Sequence, residues 1–302
     1  MTSEILAAII RANLVGSLAI LVVLALRIPM RRGFGPELSY GLWAIPPIAF
    51  VATLMPPPVT LDDPGADPFA LARDHSTLAL VAWGLGFMLM AALFTRAQLK
   101  FLASARRGRA GPSVVGVVNP RIVMPPDDGA YSPEERDLIR AHERQHIARS
   151  DPRAGALATA FQALCWFNPL VHIAVNVMRL DQELACDAGV LRRRPHDRAL
   201  YARTLLKAQL AAQALPFGCH WLAGQHPLEI RVAALRPRTF YDGLTGSVLL
   251  GSAMICAALL AWNAQPPGEK HPPPVIVFIE EHGQRVVSVM LVKAPPRERP
   301  AS

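Results

Sequence analysis

The sequence predicts a mainly helical membrane protein with four spanning helices and one polar domain, residues 96–243, between the third and the fourth. Three observations predict it. Hydrophobic residues make up 52% of the chain and its mean hydropathy is +0.26, a balance typical of a chain that crosses a bilayer several times. Long apolar stretches with few or no charges recur at lengths suited to a membrane core. The net charge of +8 gathers beside those stretches, so lipid headgroups are its expected neighbours and no direct contact with nucleic acid is expected.

Residues 1–95 hold three of the spans. Ile5 to Leu26 is the first, despite Arg11 and Asn13 near its start, and Arg27, Arg31 and Arg32 follow it at once. No cleavage pattern precedes it, so it is expected to stay as an anchor. Leu38 to Met55 is the second, with Pro46 and Pro47 in its middle, tolerable where neighbouring helices cover the freed backbone groups. The loop from Pro56 to Ser76 carries Asp62, Asp63, Asp67 and Asp74 against Arg73 alone. Thr77 to Phe94 is the third span, uncharged, with Arg96, Lys100, Arg106, Arg107 and Arg109 after it. By the positive-inside rule the basic segments face the cytoplasm and the acidic loop lies outside. Leu244 to Trp262, residues 244–262 of the fourth span, would then return the chain to the outside, leaving both termini there and the polar domain in the cytoplasm. The expected location is a bacterial-type inner membrane.

Within the polar domain, Val114–Val118 and Arg121–Met124 read as two short strands about Asn119-Pro120: either an ordinary surface hairpin or an edge that holds an extended peptide. Ser132-Pro133-Glu134-Glu135 then reads as a capping box that opens a helix. Leu138, Ile139, His142 and His146 follow at helical spacing. His142 and His146 are one turn apart and can share a metal ion. Glu143 can reach a water held there and take its proton. By chance this motif would arise in roughly one such chain per hundred, so a third ligand must decide. Asp151, before Pro152, fits an N-cap of the next helix better than a metal role.

Ala154 to Met178 is uncharged and long enough to cross a membrane. A crossing here would set His146 and Glu183 on opposite sides, about thirty ångströms apart. If both serve one metal, the segment must return to the side it left, and Asn168-Pro169 offers the break. His172 within it reads as a packed core histidine. Glu183 and Asp187, a turn apart on a short amphipathic helix, suit a carboxylate ligand and a carboxylate that orients a metal-bound histidine; alone they would read as an ordinary acidic face.

Three runs together carry a resemblance: Leu138 to Asp151, Trp166-Phe167-Asn168-Pro169-Leu170, and Arg179 to Asp187. In order and spacing they are similar to the membrane metallopeptidases of the BlaR/MecR type, sensor-transducers that control beta-lactam resistance genes. The likeness runs from the first span to about Arg238. It implies a zincin-like α+β domain in which His142, His146 and Glu183 bind Zn2+, Glu143 is the general base and Asp187 stands behind a histidine ligand. It also implies regulated limited proteolysis of a protein substrate, a cytoplasmic winged-helix repressor or the protease itself. A broad quality-control membrane protease and a non-catalytic zinc-binding scaffold are the rival expectations.

The remainder departs from the antibiotic sensors. Arg192-Arg193-Arg194 reads as a solvated charge run, and Arg198 to Ala214 as an amphipathic helix. Arg231, Arg236 and Arg238 read as the basic flank of the fourth span; His220 and His226 have no ligand spacing. Cys165, Cys186, Cys219 and Cys256 read as free thiols with no cysteine metal site. The tail, residues 263–302, lacks the S-x-x-K and K-T-G signatures of a penicillin-binding domain, so acylation by a beta-lactam is not expected. It holds a strand pair, Val275–Ile279 and Val286–Val292, turning at His282-Gly283, and would gain order on the outer loop, on an extracytoplasmic partner protein or in a homodimer.

Overall fold

The computed structural model describes residues 2–61, 76–107, 111–124, 127–212, 227–237, 239–269, 275–281 and 284–290. The acidic stretch 62–74, Cys219, His220, His226 and the turn at His282-Gly283 lie outside them. The described chain is mainly helical, and three helices are long and apolar enough to cross a membrane: α1 (Thr2–Phe34), α4 (Ser76–Arg106) and α10 (Gly243–Asn263).

The second expected span is broken. It runs as α2 (Pro36–Gly41), a 3-10 turn (Leu42–Ala44) and α3 (Ile45–Ala52). Gly35, at φ 96°, lets α1 fold straight back into α2, a backbone shape that a side chain resists. Pro46 and Pro47 in the first turn of α3 have no N–H to give to the Leu42 and Trp43 carbonyls of the 3-10 turn, so the helix restarts there. The apolar side chains still do their work. Leu42, Trp43, Ile45, Ala49 and Phe50 are buried with Ile20 and Val23 of α1.

After α4 come β2 (Ser113–Val115) and β3 (Arg121–Val123), then α5 (Pro133–Ala148), α6 (Asp151–Leu164), α7 (Pro169–Arg193), α8 (Arg198–Ala212) and α9 (Pro227–Ala234). β1 (Thr60–Leu61) precedes α4; β4 (Gly268–Glu269), β5 (Val275–Glu281) and β6 (Gln284–Met290) follow α10. The helix that holds the third span, Thr77 to Phe94, continues beyond it to Arg106, carrying Arg96 and Lys100 on its last turns. Two expectations need correction. The β2–β3 hairpin is shorter than its valines implied, because Gly116 at φ 101° starts the turn and removes Val117 and Val118 from the strand. The segment bearing Glu183 is no short helix but the second half of a 25-residue one. Among the described residues, region 96–243 holds this one hairpin and no larger sheet.

The uncharged segment after α5 does turn back. α6 ends at Leu164, and Asn168 caps α7 by accepting from the Leu170 N–H at 3.0 Å. Its walls join the membrane core: Ala158 of α6 and Val171, Ala174, Val175 and Met178 of α7 are buried in the cluster that holds Ile20 and Phe50. α4 docks on this turn by reciprocal indole bonds. Trp83 Nε1 donates to Leu164 O at 2.9 Å, and Trp166 Nε1 donates to Trp83 O at 3.2 Å. The ring of Trp166 lies over Gly86, where a Cβ would collide with it. His172 is hydrogen-bonded to Gln162 and to Trp166 O, as a structural residue should be.

Helix ends meet in two groups. Ser76 Oγ donates to Thr2 Oγ1 at 3.2 Å, Trp262 Nε1 donates to Pro56 O at 2.7 Å, and β1 pairs in parallel with β4. At the other end of α1, Tyr241 N donates to Gly33 O at 2.8 Å, joining the start of α10 to the end of α1. β5 and β6 pair antiparallel from Val275 opposite Met290 to Glu281 opposite Gln284.

Candidate metal centre

α5 opens as its sequence requires. The Ser132 hydroxyl accepts from the Glu135 N–H at 3.3 Å, and the Glu135 carboxylate accepts from the Ser132 N–H at 2.9 Å. The helix buries Leu138 and Ile139, and Leu138 packs with Val190, Leu191, Tyr201 and Leu235 in a small core that joins α5 to α7 and α8. This core brings the charged part of α7 against the histidine face of α5.

There His142, His146 and Glu183 converge. The two Nε2 atoms are 3.2 Å apart. Glu183 Oε2 is 3.3 Å from His142 Nε2, and Oε1 is 3.7 Å from His146 Nε2. Ligands held tetrahedrally at zinc–nitrogen distances are roughly 3.3 Å from one another. The donor separations therefore fit a small tetrahedral ion.

The outer ring nitrogens agree with that fit. The Tyr201 hydroxyl donates to Asp187 Oδ1 at 2.7 Å, so its oxygen, 2.8 Å from His142 Nδ1, accepts from that nitrogen. His146 Nδ1 donates to Asp151 Oδ2 at 2.8 Å. Both Nε2 lone pairs then face each other, an arrangement that needs positive charge between them. Cys186 lies against this pairing, with Sγ 3.2 Å from His146 Nδ1 and 3.4 Å from Asp151 Oδ2. This second donor set shares the outer nitrogen of His146 and is not independent of the first.

The carboxylates are tuned by what surrounds them. Burial raises the Glu143 carboxyl above its usual range, although His142 and His146 oppose this. Burial works on Glu183 in the same sense, but His142 and the Arg231 guanidinium win and hold it well below the usual range. Arg231 Nε and Nη2 donate to the two oxygens of Asp187 at 2.9 and 2.8 Å, and Nη1 lies 3.0 Å from Glu183 Oε2. Burial and the adjacent Asp187 push the Tyr201 phenol well above its ordinary value. Glu143, Glu183, Tyr201 and Arg231 line one cleft of about 440 Å³ with the two histidines, and Ser113 and Val114 of β2 line it too. A larger apolar cavity, about 1180 Å³, lies among the membrane helices and contains none of the three donors.

Asp151, Tyr201 and Arg231 are the residues that sequence reasoning missed or misread. Asp151 is not the N-cap: Ser150 holds that position at φ 59°, and Asp151, in the first turn, points its carboxylate back at His146. Its spacing of five from His146 was the available signal. Arg231, read as part of the basic flank of the fourth span, is buried, on a helix the sequence did not reveal. Asp187 reaches His142 mainly through Tyr201; its own Oδ1 is 3.5 Å from Nδ1. The arginine run is partly paired, Arg192 with Glu37 and Arg194 with Asp137, both at 2.6 Å.

Comparison with known proteins gives the setting. A family model described as BlaR1 peptidase M56 matches residues 7–84 and 97–235. The regulatory protein BlaR1 of Bacillus licheniformis is 31% identical over 81 residues, 27% of this chain and 14% of that protein. The methicillin resistance mecR1 protein of Staphylococcus aureus is 31% identical over 101 residues, 33% of this chain and 17% of the relative. The aligned stretches thus span less than a fifth of those relatives. No solved structure matches the chain. With the family model covering both the helices of the N-terminal half and the whole of the donor cluster, the chain belongs to the BlaR1 peptidase M56 family.

Proposed function

We propose that the protein is a membrane-embedded zinc endopeptidase that performs regulated limited proteolysis. The observation that carries this reading is the cluster of His142, His146 and Glu183, whose donor atoms lie within 4.8 Å of one another beside the buried Glu143. In this reading His142, His146 and Glu183 hold the ion. Zinc supplies Lewis acidity, which polarises a peptide carbonyl and makes water acidic enough to ionise near neutral pH. The chain's own residues do the rest. Glu143 accepts a proton at its carboxylate and gives it to the departing peptide nitrogen, a role for which a carboxyl raised by burial is suited. Asp151 keeps the proton of His146 on Nδ1, and the Tyr201–Asp187 pair does the same for His142. β2, which lines the cleft, offers backbone groups to an extended substrate.

The proposed topology adds Pro36–Ala52 as a crossing to α1, α4 and α10. The joining of Thr2 with Ser76 and of Pro56 with Trp262 supports one outer end, and the arginines that close α1 support a cytoplasmic metal centre. The names of the relatives, a regulatory protein and a methicillin resistance protein, support a signalling role. A cytoplasmic repressor or the protease itself is the proposed substrate.

The test is Glu143→Gln in the full chain. It is expected to keep its zinc and lose cleavage by about a hundred- to ten-thousandfold. The same variant, used to trap substrates in cells, is expected to capture one dominant DNA-binding partner. Undiminished cleavage would remove Glu143 from the chemistry. Capture of many unrelated membrane fragments would mark a quality-control protease instead.

A further inference from the structure

Two residues before Glu183, on the same helix, Asp181 carries a carboxylate that is 1% exposed. It faces away from the metal centre, toward the membrane helices. Arg27 Nη1 of α1 donates to Oδ1 at 2.7 Å, with Arg31 Nη1 on the same oxygen at 3.5 Å. Trp43 Nε1, from the turn between α2 and α3, donates to Oδ2 at 2.9 Å. The donors come from two separate elements, and they are fastened to each other, since Ser39 Oγ of α2 donates to Arg27 O at 2.8 Å. The next residue continues the attachment: Gln182 O accepts from Arg149 Nη1 at 3.4 Å, and Gln182 Nε2 donates to the Tyr40 hydroxyl at 3.4 Å. Only then does Glu183 turn into the cleft.

A buried carboxylate with charged and neutral donors on both oxygens is a rigid attachment, because losing one partner strands charge away from water. A helix fixed at Asp181 has little freedom to rotate or slide at Glu183, and outer partners of this kind set how well a ligand reaches its ion. We infer that Asp181 is a positioning residue: held by Arg27 and Trp43, it sets Glu183 in the metal centre and ties that ligand to the first membrane helix. The inference rests on the assignment of Glu183 as a zinc ligand.

The test measures zinc affinity by chelator competition on the full-length protein in lipid nanodiscs. Asp181→Asn is made both in the native chain and in a Glu183→Gln chain. If Asp181 acts through Glu183, its substitution weakens zinc binding about ten- to a hundredfold in the native background. In the Glu183→Gln background the same change should then cost less than about threefold, since coupled residues are not additive. Equal losses in both backgrounds would overturn the inference, as would no loss in the native one. Arg27→Lys, which keeps the charge, is expected to retain more affinity than Arg27→Ala; equal values contradict it. Where Asp181→Asn does not fold, Trp43→Phe removes a single donor and is judged by the same pair of backgrounds. The two failures are separable. If Glu183→Gln alone leaves affinity unchanged, the ligand assignment falls and takes the inference with it; if it lowers affinity while Asp181→Asn does not, the inference falls alone.

Discussion

Each histidine of the metal centre has one nitrogen bound to an oxygen behind it and the other turned to its neighbour, so the rings are set before any ion arrives. For His146 the oxygen is Asp151 Oδ2, and for His142 it is the Tyr201 hydroxyl, itself bound to Asp187. Asp151→Asn and Tyr201→Phe are therefore each expected to weaken zinc binding by about ten- to a hundredfold without unfolding the chain. Chelator competition checks this, and unchanged affinity in both variants would show that the ring orientations do not depend on these partners. The pairing of His142 with His146 was legible in the sequence because one turn of helix fixes it; Glu183, on another helix, was joined to them through the resemblance. Tyr201 and Arg231 were not, because their distances along the chain from the ligands follow from how α8 and α9 pack on α7, which no local pattern encodes. Asp151 was legible in principle, but Pro152 after it favoured the capping reading.

The helices of this protein are placed by two kinds of contact, caps and close approaches. α5 owes its start to the reciprocal bonds of Ser132 and Glu135, and the sequence announced them. Ser132→Ala is expected to lower stability by about 1 kcal/mol, seen as a lower midpoint of thermal unfolding. α4 is held differently, by indole bonds and by the ring of Trp166 lying over Gly86. Small residues permit such approaches between membrane helices, and filling one forces apart what it joins. Gly86→Val should thus cost about 1–3 kcal/mol in the same unfolding measurement, whereas Gly84→Val, where a Cβ meets nothing within 4 Å, should be nearly silent. Equal effects at both glycines would mean that α4 does not dock as described. The return of α6 and α7 was legible from a distance argument joined to Asn168-Pro169. The break of the second span was not, because the prolines that cause it are also tolerated inside unbroken membrane helices.

At the scale of the whole molecule, α6 and α7 contribute both to the apolar core of the membrane helices and to the lining of the cleft. α7 runs from the apolar cluster at Val171 to the candidate ligand Glu183 and to Asp187 without interruption. The proposed arrangement has basic helix ends and the metal centre on the cytoplasmic side, with the outer loop and tail opposite. Reporter fusions at Asp67 and Ser302 should accordingly report outside, and those at Arg107 and Arg193 inside. An outside signal at Arg193 would be incompatible with a cytoplasmic metal centre. The most direct test of the account remains the metal itself. Elemental analysis of the purified full-length chain is expected to give about one zinc per protein, in the native form and in Glu143→Gln alike, and a small fraction of that in His146→Ala and in Glu183→Ala, where two protein ligands remain. A Glu183→Ala protein that still carries a full equivalent of zinc would contradict the three-ligand centre on which the account stands.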